Sequence, residues 1–262
     1  MQVAYRGLTP VCKLYARRLL LRCAAVLLAA ACVGVVAGAM LQAATGFGFS
    51  LAAAPLLFAA IEPEPAVVLL LVLGLEVNVL TLATERRRPR PLRHSTIAIL
   101  GWSLPGALAG VAVLRALPSA ALQVAVTLGV AGTLAARRVR SAHVPAWAAG
   151  IAAGALTTST STNGPPMLLH LLGRGATPVQ VRDTLTTCFV GLAAIGALAL
   201  FGTGDPELPQ TTLVIGLLPA VLAGHLVGRR LFARLADGGR YELVLTVVLV
   251  VAVLVGLIGA LL

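Results

Sequence analysis

Two short stretches of this chain set hydroxyl and amide side chains beside glycine and proline, inside sequence that is otherwise apolar. QAATGFGFS runs from Gln42 to Ser50, and TTSTSTNGPP runs from Thr157 to Pro166. Thr45, Ser50, Ser159, Ser161, Thr162 and Asn163 offer neutral hydrogen-bond donors, and Gln42 stands at the edge of the first stretch, in position to line it. Gly46, Gly48 and Gly164 allow backbone to approach a ligand closely, with Phe47 between the first two. Pro165 suits the first turn of a new helix, where an N–H would have no partner. A helix beginning there carries roughly half a positive charge and free N–H groups at its start, so it favours anions. Asn163 holds the N-cap position and is expected to turn its amide on the anion as well. The chemistry implied is a small dehydrated oxyanion held by dipoles. It is no carboxylate cage for a metal, although hydroxyls and freed carbonyls also suit sodium. For each hydroxyl taken alone the plainer reading is a bond back to a helix carbonyl or across to a neighbouring helix.

These stretches belong to a chain of 262 residues that is 59% hydrophobic and 11% charged, with a mean hydropathy of +0.97. Soluble domains carry about 25% charged residues, so this chain lacks the polar surface to cover a core of its size. Its long apolar runs match the ~20 residues that cross a bilayer as a helix. The net charge of +11 sits in short segments between those runs, at Lys13 to Arg22, Arg86 to Arg93, Arg137 to Arg140 and Arg229 to Arg240. That is the pattern of cytoplasmic loops and argues against a nucleic-acid partner. The acidic segment Thr203–Gln210 reads as external. The N-terminal basic segment resembles the start of a signal peptide, but the apolar run Leu19–Met40 exceeds a signal core of about 7–15 residues. It is expected to be retained. Cys12, Cys23, Cys32 and Cys188 show no metal-binding or disulfide spacing.

The chain is written twice. GVVAGAMLQAATGFGFS (34–50) aligns with GIAAGALTTSTSTNGPP (150–166) at an offset of 116 residues, and LPGALAG (104–110) aligns with LPAVLAG (218–224) at an offset of 114. The expected organisation is a basic N-terminal extension over 1–22, a first repeat over 23–140 and a second over 141–262, forming one membrane domain. Charge placement then gives each repeat about three full spans plus a broken hairpin of half-helices. An odd number of crossings makes the repeats inverted. The fold class is thus an all-α polytopic membrane protein of two inverted repeats, of the kind that holds substrate at the midplane where discontinuous helices meet. The C-terminus falls outside. Strict inversion also puts residue 24 outside, against the inward pull of Lys13, Arg17, Arg18 and Arg22.

Other polar residues were weighed on the same terms. Glu76 and Asn78 lie well inside the span 65–84. A carboxylate there is expensive, which makes Glu76 the candidate for a proton-linked role or else a structural partner. Arg182 and Asp183 read as a pair at the membrane edge. His170 and His225 stand singly near span ends, and Trp147 and Tyr241 begin spans as interfacial anchors.

The duplicated plan, the segment GFGFSLAAAPLL, the basic loop ERRRPRPLRH and the segment NGPP resemble the TauE/SafE sulfite exporter family over residues 24–262. The resemblance implies a transporter of sulfite, a sulfonate or a related small organosulfur anion in the cytoplasmic membrane, with proton coupling and no cofactor. It implies polar substrate segments at Thr45 to Ser50 and Ser161 to Pro165. The chain departs from the family pattern in having Pro165 and Pro166 where many members have one proline. An anion channel, a membrane scaffold and an intramembrane enzyme are the other classes weighed. No HExxH, GxSxG or His/Cys cluster supports the last.

Overall fold

In the computed structural model, residues 10–85, 88–118, 120–122, 124 and 144–237 are described, with side chains described from residue 28 to 231. The regular elements among them are helices: α1 (Pro10–Thr45), α2 (Phe49–Ala60), α3 (Pro63–Thr84), α4 (Arg93–Ala116), α5 (Ala146–Ser159), α6 (Gly164–Gly173), α7 (Pro178–Gly202) and α8 (Thr211–Asp237). Among the described residues five segments are long and apolar enough to cross a membrane: Leu28–Thr45, Pro63–Thr84, Arg93–Ala116, Pro178–Gly202 and Thr211–Leu231. Nearly all of the expected span 120–136, the span 241–262, the basic cluster 137–140 and the extension's first residues lie outside the described residues.

Both expected breaks are present. α1 ends at Thr45 and α2 begins at Phe49; α5 ends at Ser159 and α6 begins at Gly164. No single helix runs through 146–173. At the first break the chain turns on Gly46 (φ 87°) and Gly48 (φ 110°), and at the second on Ser161 (φ 59°), the one non-glycine with positive φ among the described residues. Such a conformation costs a non-glycine residue on the order of 1–3 kcal/mol and persists only where its surroundings impose it.

The first break is fixed from two sides. Phe47 packs into a core with Met167, Leu168 and Leu171 of α6 and Leu185 and Leu192 of α7. Phe49 packs into a second core with Leu69, Leu70 and Leu73 of α3 and Ala53 and Leu57 of α2. Two aromatic residues two positions apart thus anchor the loop in opposite cores. Any shift of Gly48 would lift one ring from its seat.

Small residues let the longer helices approach closely, as is usual where no water drives helix association. A Cβ on Gly106 or Gly110 of α4 would collide with backbone of Ile151 or Ala155 on α5, and one on Gly224 or Gly228 of α8 would collide with Val36 or Met40 on α1. The α4–α5 and α8–α1 contacts join residues that the sequence offsets relate: Gly110 meets Ala155, and Gly224 meets Ala39.

α7 starts at Pro178. Thr177 Oγ1 accepts from Gln180 N at 3.3 Å while Gln180 Oε1 accepts from Thr177 N at 3.0 Å. This capping box with proline at the first helical position is a strong start signal. It places Arg182 and Asp183 inside the helix, both buried.

Charged groups gather at two ends. Arg115 of α4 pairs with Glu64 of α3 at 3.1 Å and donates to Thr203 O at 2.9 Å. Arg182 pairs with Glu85, Asp183 accepts from Arg90 N at 2.7 Å, and Thr184 Oγ1 accepts from Leu92 N at 2.9 Å. The first group joins segments read as external; the second joins segments read as cytoplasmic. Arg182 thus reaches the end of α3, and Asp183 reaches Arg90, just before α4.

Candidate functional site

The two breaks meet. Ser50 Oγ, in the first turn of α2, donates to Ser161 Oγ at 3.3 Å. Gly164, the first residue of α6, faces the ring of Phe47, whose Cδ2 would lie 3.1 Å from an added Cβ. Between them is a cavity of about 40 Å³ lined by residues of both breaks and by α3 and α7. A water needs about 10–15 Å³ measured this way, so the space fits about three waters or one small anion.

Of the residues expected at the site, Gln42, Phe47, Gly48, Ser50, Ser161, Thr162, Asn163 and Gly164 line this cavity. Thr45, Gly46, Ser159 and Pro165 do not line it. Thr45 donates to Phe47 O at 2.7 Å and lies within 2.9 Å of Leu41 O, and Ser159 donates to Ala155 O at 2.7 Å. Ser159 bonds back to a helix carbonyl one turn earlier, and Thr45 bonds to the carbonyl of Phe47 in the break, the plainer role foreseen for single hydroxyls. Gly46 is structural as well. At φ 87° a Cβ there would lie 2.7 Å from Arg182 Cα.

Gln42 organises the first break. Its Oε1 accepts from Phe49 N at 3.1 Å, taking one of the free N–H groups at the start of α2, and its Nε2 donates to Asn78 Oδ1 at 2.9 Å. Asn78 in turn donates to Gly74 O at 2.6 Å. Asn78 and Gly74 line the cavity and had no site role in the sequence reading. An asparagine one turn after a glycine in a 22-residue apolar helix was the available signal.

Asn163 departs from expectation in an instructive way. It holds the N-cap position of α6, but its backbone is right-handed helical (φ −77°, ψ −7°) and its side chain makes no cap bond. An N-cap side chain accepts from the N–H of the second or third helical residue. Those residues are Pro165 and Pro166, which have none. The amide is released from capping, and Nδ2 donates instead to Thr157 Oγ1 at 2.7 Å. The same prolines thin out the expected N–H donors, leaving Gly164 N as the first at this helix start. On the opposite wall the early turns of α2 contribute Ser50 N and Leu51 N, which lie too near the start for an intrahelical partner.

Among the described residues no charged side chain lines the cavity. Its electrostatic character comes from two helix N-termini, α2 and α6, converging on it with about half a positive charge each. Hydroxyls of Ser50, Ser161 and Thr162 and the amide of Asn163 supply directional donors; Thr160 and Thr162 share a bond of 2.8 Å. Phe189 and Leu70 close the apolar side. Glu76 stands apart. It is half-buried on α3, its Oε2 has no hydrogen-bond partner, and it does not line the cavity. Among the described residues no group of three His, Cys, Asp or Glu side chains is placed to hold a metal.

A family model for the sulfite exporter TauE/SafE matches residues 22–257. The chain belongs to the TauE/SafE family. No curated protein and no solved structure matches it. As a TauE/SafE member with five described spans, it is a multi-pass membrane protein of a transporter family. Both breaks and the cavity fall within the residues that carry the TauE/SafE match.

Proposed function

We propose that this protein is a secondary transporter that moves a small sulfur oxyanion, sulfite or a compact sulfonate, across the cytoplasmic membrane by alternating access. The observation that carries the reading is the convergence of two half-helix N-termini and their hydroxyls on one cavity without a charged side chain. Dipoles and neutral donors can replace part of an oxyanion's hydration shell without binding it so tightly that it cannot leave. A lysine or arginine at the same place would hold it harder. Irregular backbone at membrane depth is tolerated where it lines such a cavity, which accounts for both breaks together.

Alternating access has a frame in the duplication. The halves 23–140 and 141–262 are taken as inverted repeats, each contributing one break. The recurrence of the Gly110–Ala155 contact as Gly224–Ala39 supports that pairing. Rocking one half against the other would expose the shared cavity to each side in turn. Coupling to protons and an external C-terminus complete the reading. The family relation favours transport over a scaffold or an intramembrane enzyme, and a channel is distinguished by flux.

Binding tests the site itself. Purified protein in detergent, titrated with sulfite, methanesulfonate and chloride in a calorimeter, is expected to bind sulfite at one site per chain and chloride far more weakly. Equal affinity for chloride, or heat that never saturates, would remove the oxyanion site.

A further inference from the structure

Buried titratable groups outside the cavity differ in what their partners can accept. His225, on α8, is fully buried. Its Nδ1 lies 3.4 Å from Thr81 Oγ1 and its Nε2 lies 3.1 Å from Thr84 Oγ1. Each hydroxyl already donates along α3, Thr81 to Val77 O and Thr84 to Leu80 O, both at 2.7 Å. A hydroxyl has one proton, so both oxygens face the ring as acceptors, and a neutral imidazole has only one N–H to give. The protonated ring has two and satisfies both. When the ring is neutral, one threonine swings its proton from the carbonyl to the bare nitrogen. The same two hydroxyls thus serve both states at the cost of a rotation.

The other candidates lack this. His170 Nδ1 lies 2.8 Å from Val144 O, which only accepts, and its Nε2 lies 3.1 Å from the Ser95 hydroxyl, which can donate. A neutral ring satisfies that pocket outright. Among the described residues Glu76 Oε2 has no hydrogen-bond partner, and no bond on α3 connects it to the cavity.

We propose that His225 binds the coupling proton of this transporter and that its charge is felt at the first break through Glu85 and Arg182. The proposal rests on the transport reading above. The proton comes from water, converts imidazole to imidazolium, and returns to water when the ring is neutral again. The charged groups around the ring are Arg229 on its own helix, Arg182 on α7 and Glu85 at the end of α3. α1 packs on α8 at Gly224 and Gly228 and has no charged residue from Leu28 to Thr45. A new positive charge there competes for Glu85, which is the ion partner of Arg182. Arg182 Nε also donates to Ala43 O at 3.1 Å, in the last turn of α1 before Gly46. Loosening Arg182 therefore loosens the backbone that leads into the cavity.

Full-length protein in proteoliposomes tests this with radiolabelled sulfite, comparing uptake under an imposed pH gradient with sulfite–sulfite exchange at equal pH. In the wild type the gradient should accelerate uptake. In His225→Gln the ratio of gradient-driven uptake to exchange should fall to its value without a gradient. In a Thr81→Val, Thr84→Val double variant, which removes both acceptors, the midpoint of the pH profile should move about one pH unit toward acid. If the glutamine variant does not fold, the threonine pair carries the test. A readout independent of transport comes from nitrogen-labelled histidine NMR. Of the four histidines, the ring signal absent from His225→Gln should change protonation state across a pH titration. Undiminished gradient stimulation in His225→Gln, an unmoved midpoint, or a ring fixed in one state overturns the proposal. Loss of stimulation in Glu76→Gln alone assigns the proton to Glu76. A wild type that moves no sulfur anion sinks the transport reading instead, and the ring titration then decides His225.

Discussion

Ser50 and Ser161, 111 residues apart, share a hydrogen bond of 3.3 Å between their hydroxyls across the cavity. Each begins or flanks a half-helix, so the bond marks where two separate breaks become one site. Ser161 also holds a left-handed backbone that glycine would adopt without cost. Ser161→Gly therefore separates strain from chemistry. Thermal stability should hold or rise, while sulfite affinity falls by up to about tenfold, the worth of a neutral hydrogen bond of ~0.5–1.5 kcal/mol. Unchanged affinity would place the anion elsewhere.

Asn163 should matter through its amide and not as a cap. Asn163→Ala removes a donor to a charged ligand, at about 1.5–3 kcal/mol, so the dissociation constant should rise roughly ten- to a hundredfold. Asn163→Asp should be worse, because it brings like charge to an anion and sets an acceptor against Thr157 Oγ1, which already donates to Ala153 O at 2.6 Å. Calorimetry and thermal unfolding of both variants check this; wild-type affinity in the aspartate variant would end the direct contact.

Gly46→Ala should fail to reach the native fold. It forces a Cβ against Arg182 Cα at 2.7 Å in a left-handed backbone. Gly216→Ala, on the exposed side of α8 with nothing within 4 Å of the added atom, should be neutral or slightly stabilising, since alanine is the better helix former by about 1 kcal/mol. Size-exclusion profiles and melting curves of the two in detergent give the comparison, and a well-folded Gly46→Ala would show the break to be more pliable than drawn.

Arg182 is almost fully buried against Glu85. Removing one partner of such a pair costs about 3–5 kcal/mol. Arg182→Gln should lower the melting temperature sharply, and adding Glu85→Gln should recover part of the loss by removing the carboxylate that Arg182 faced. A double variant no better than the single would mean that Arg182 does not act through Glu85.

Topology is open to chemistry at Glu207, which is exposed in the α7–α8 loop. With the four native cysteines replaced, Glu207→Cys should react with an impermeant thiol reagent added to intact cells. Reaction only after the cells are opened would reverse the orientation.

Much of this arrangement was legible in the sequence, and for a physical reason. In a membrane, backbone polarity must be satisfied internally, so a run of glycines, prolines and hydroxyls within apolar sequence signals a break. Gln42–Ser50 and Thr157–Pro166 were recognisable on that ground, and the offset of 116 paired them. What escaped depended on partners distant in sequence. Asn78 gained its role from Gln42, and Arg182 from Glu85 and the carbonyl of Ala43. Only folding brings those groups together. The capping failure of Asn163 was readable in principle. Two prolines at the second and third helical positions remove the N–H groups a cap needs, and the rule naming asparagine a good cap assumes they are there.

The most direct test of the central claim is flux. Proteoliposomes containing the purified protein, given radiolabelled sulfite outside and an imposed pH gradient, should accumulate the label above its external concentration, and Asn163→Ala should lower the initial rate at subsaturating sulfite. Label that only equilibrates would make the protein a channel, and uptake no greater than in empty liposomes would contradict sulfite transport altogether.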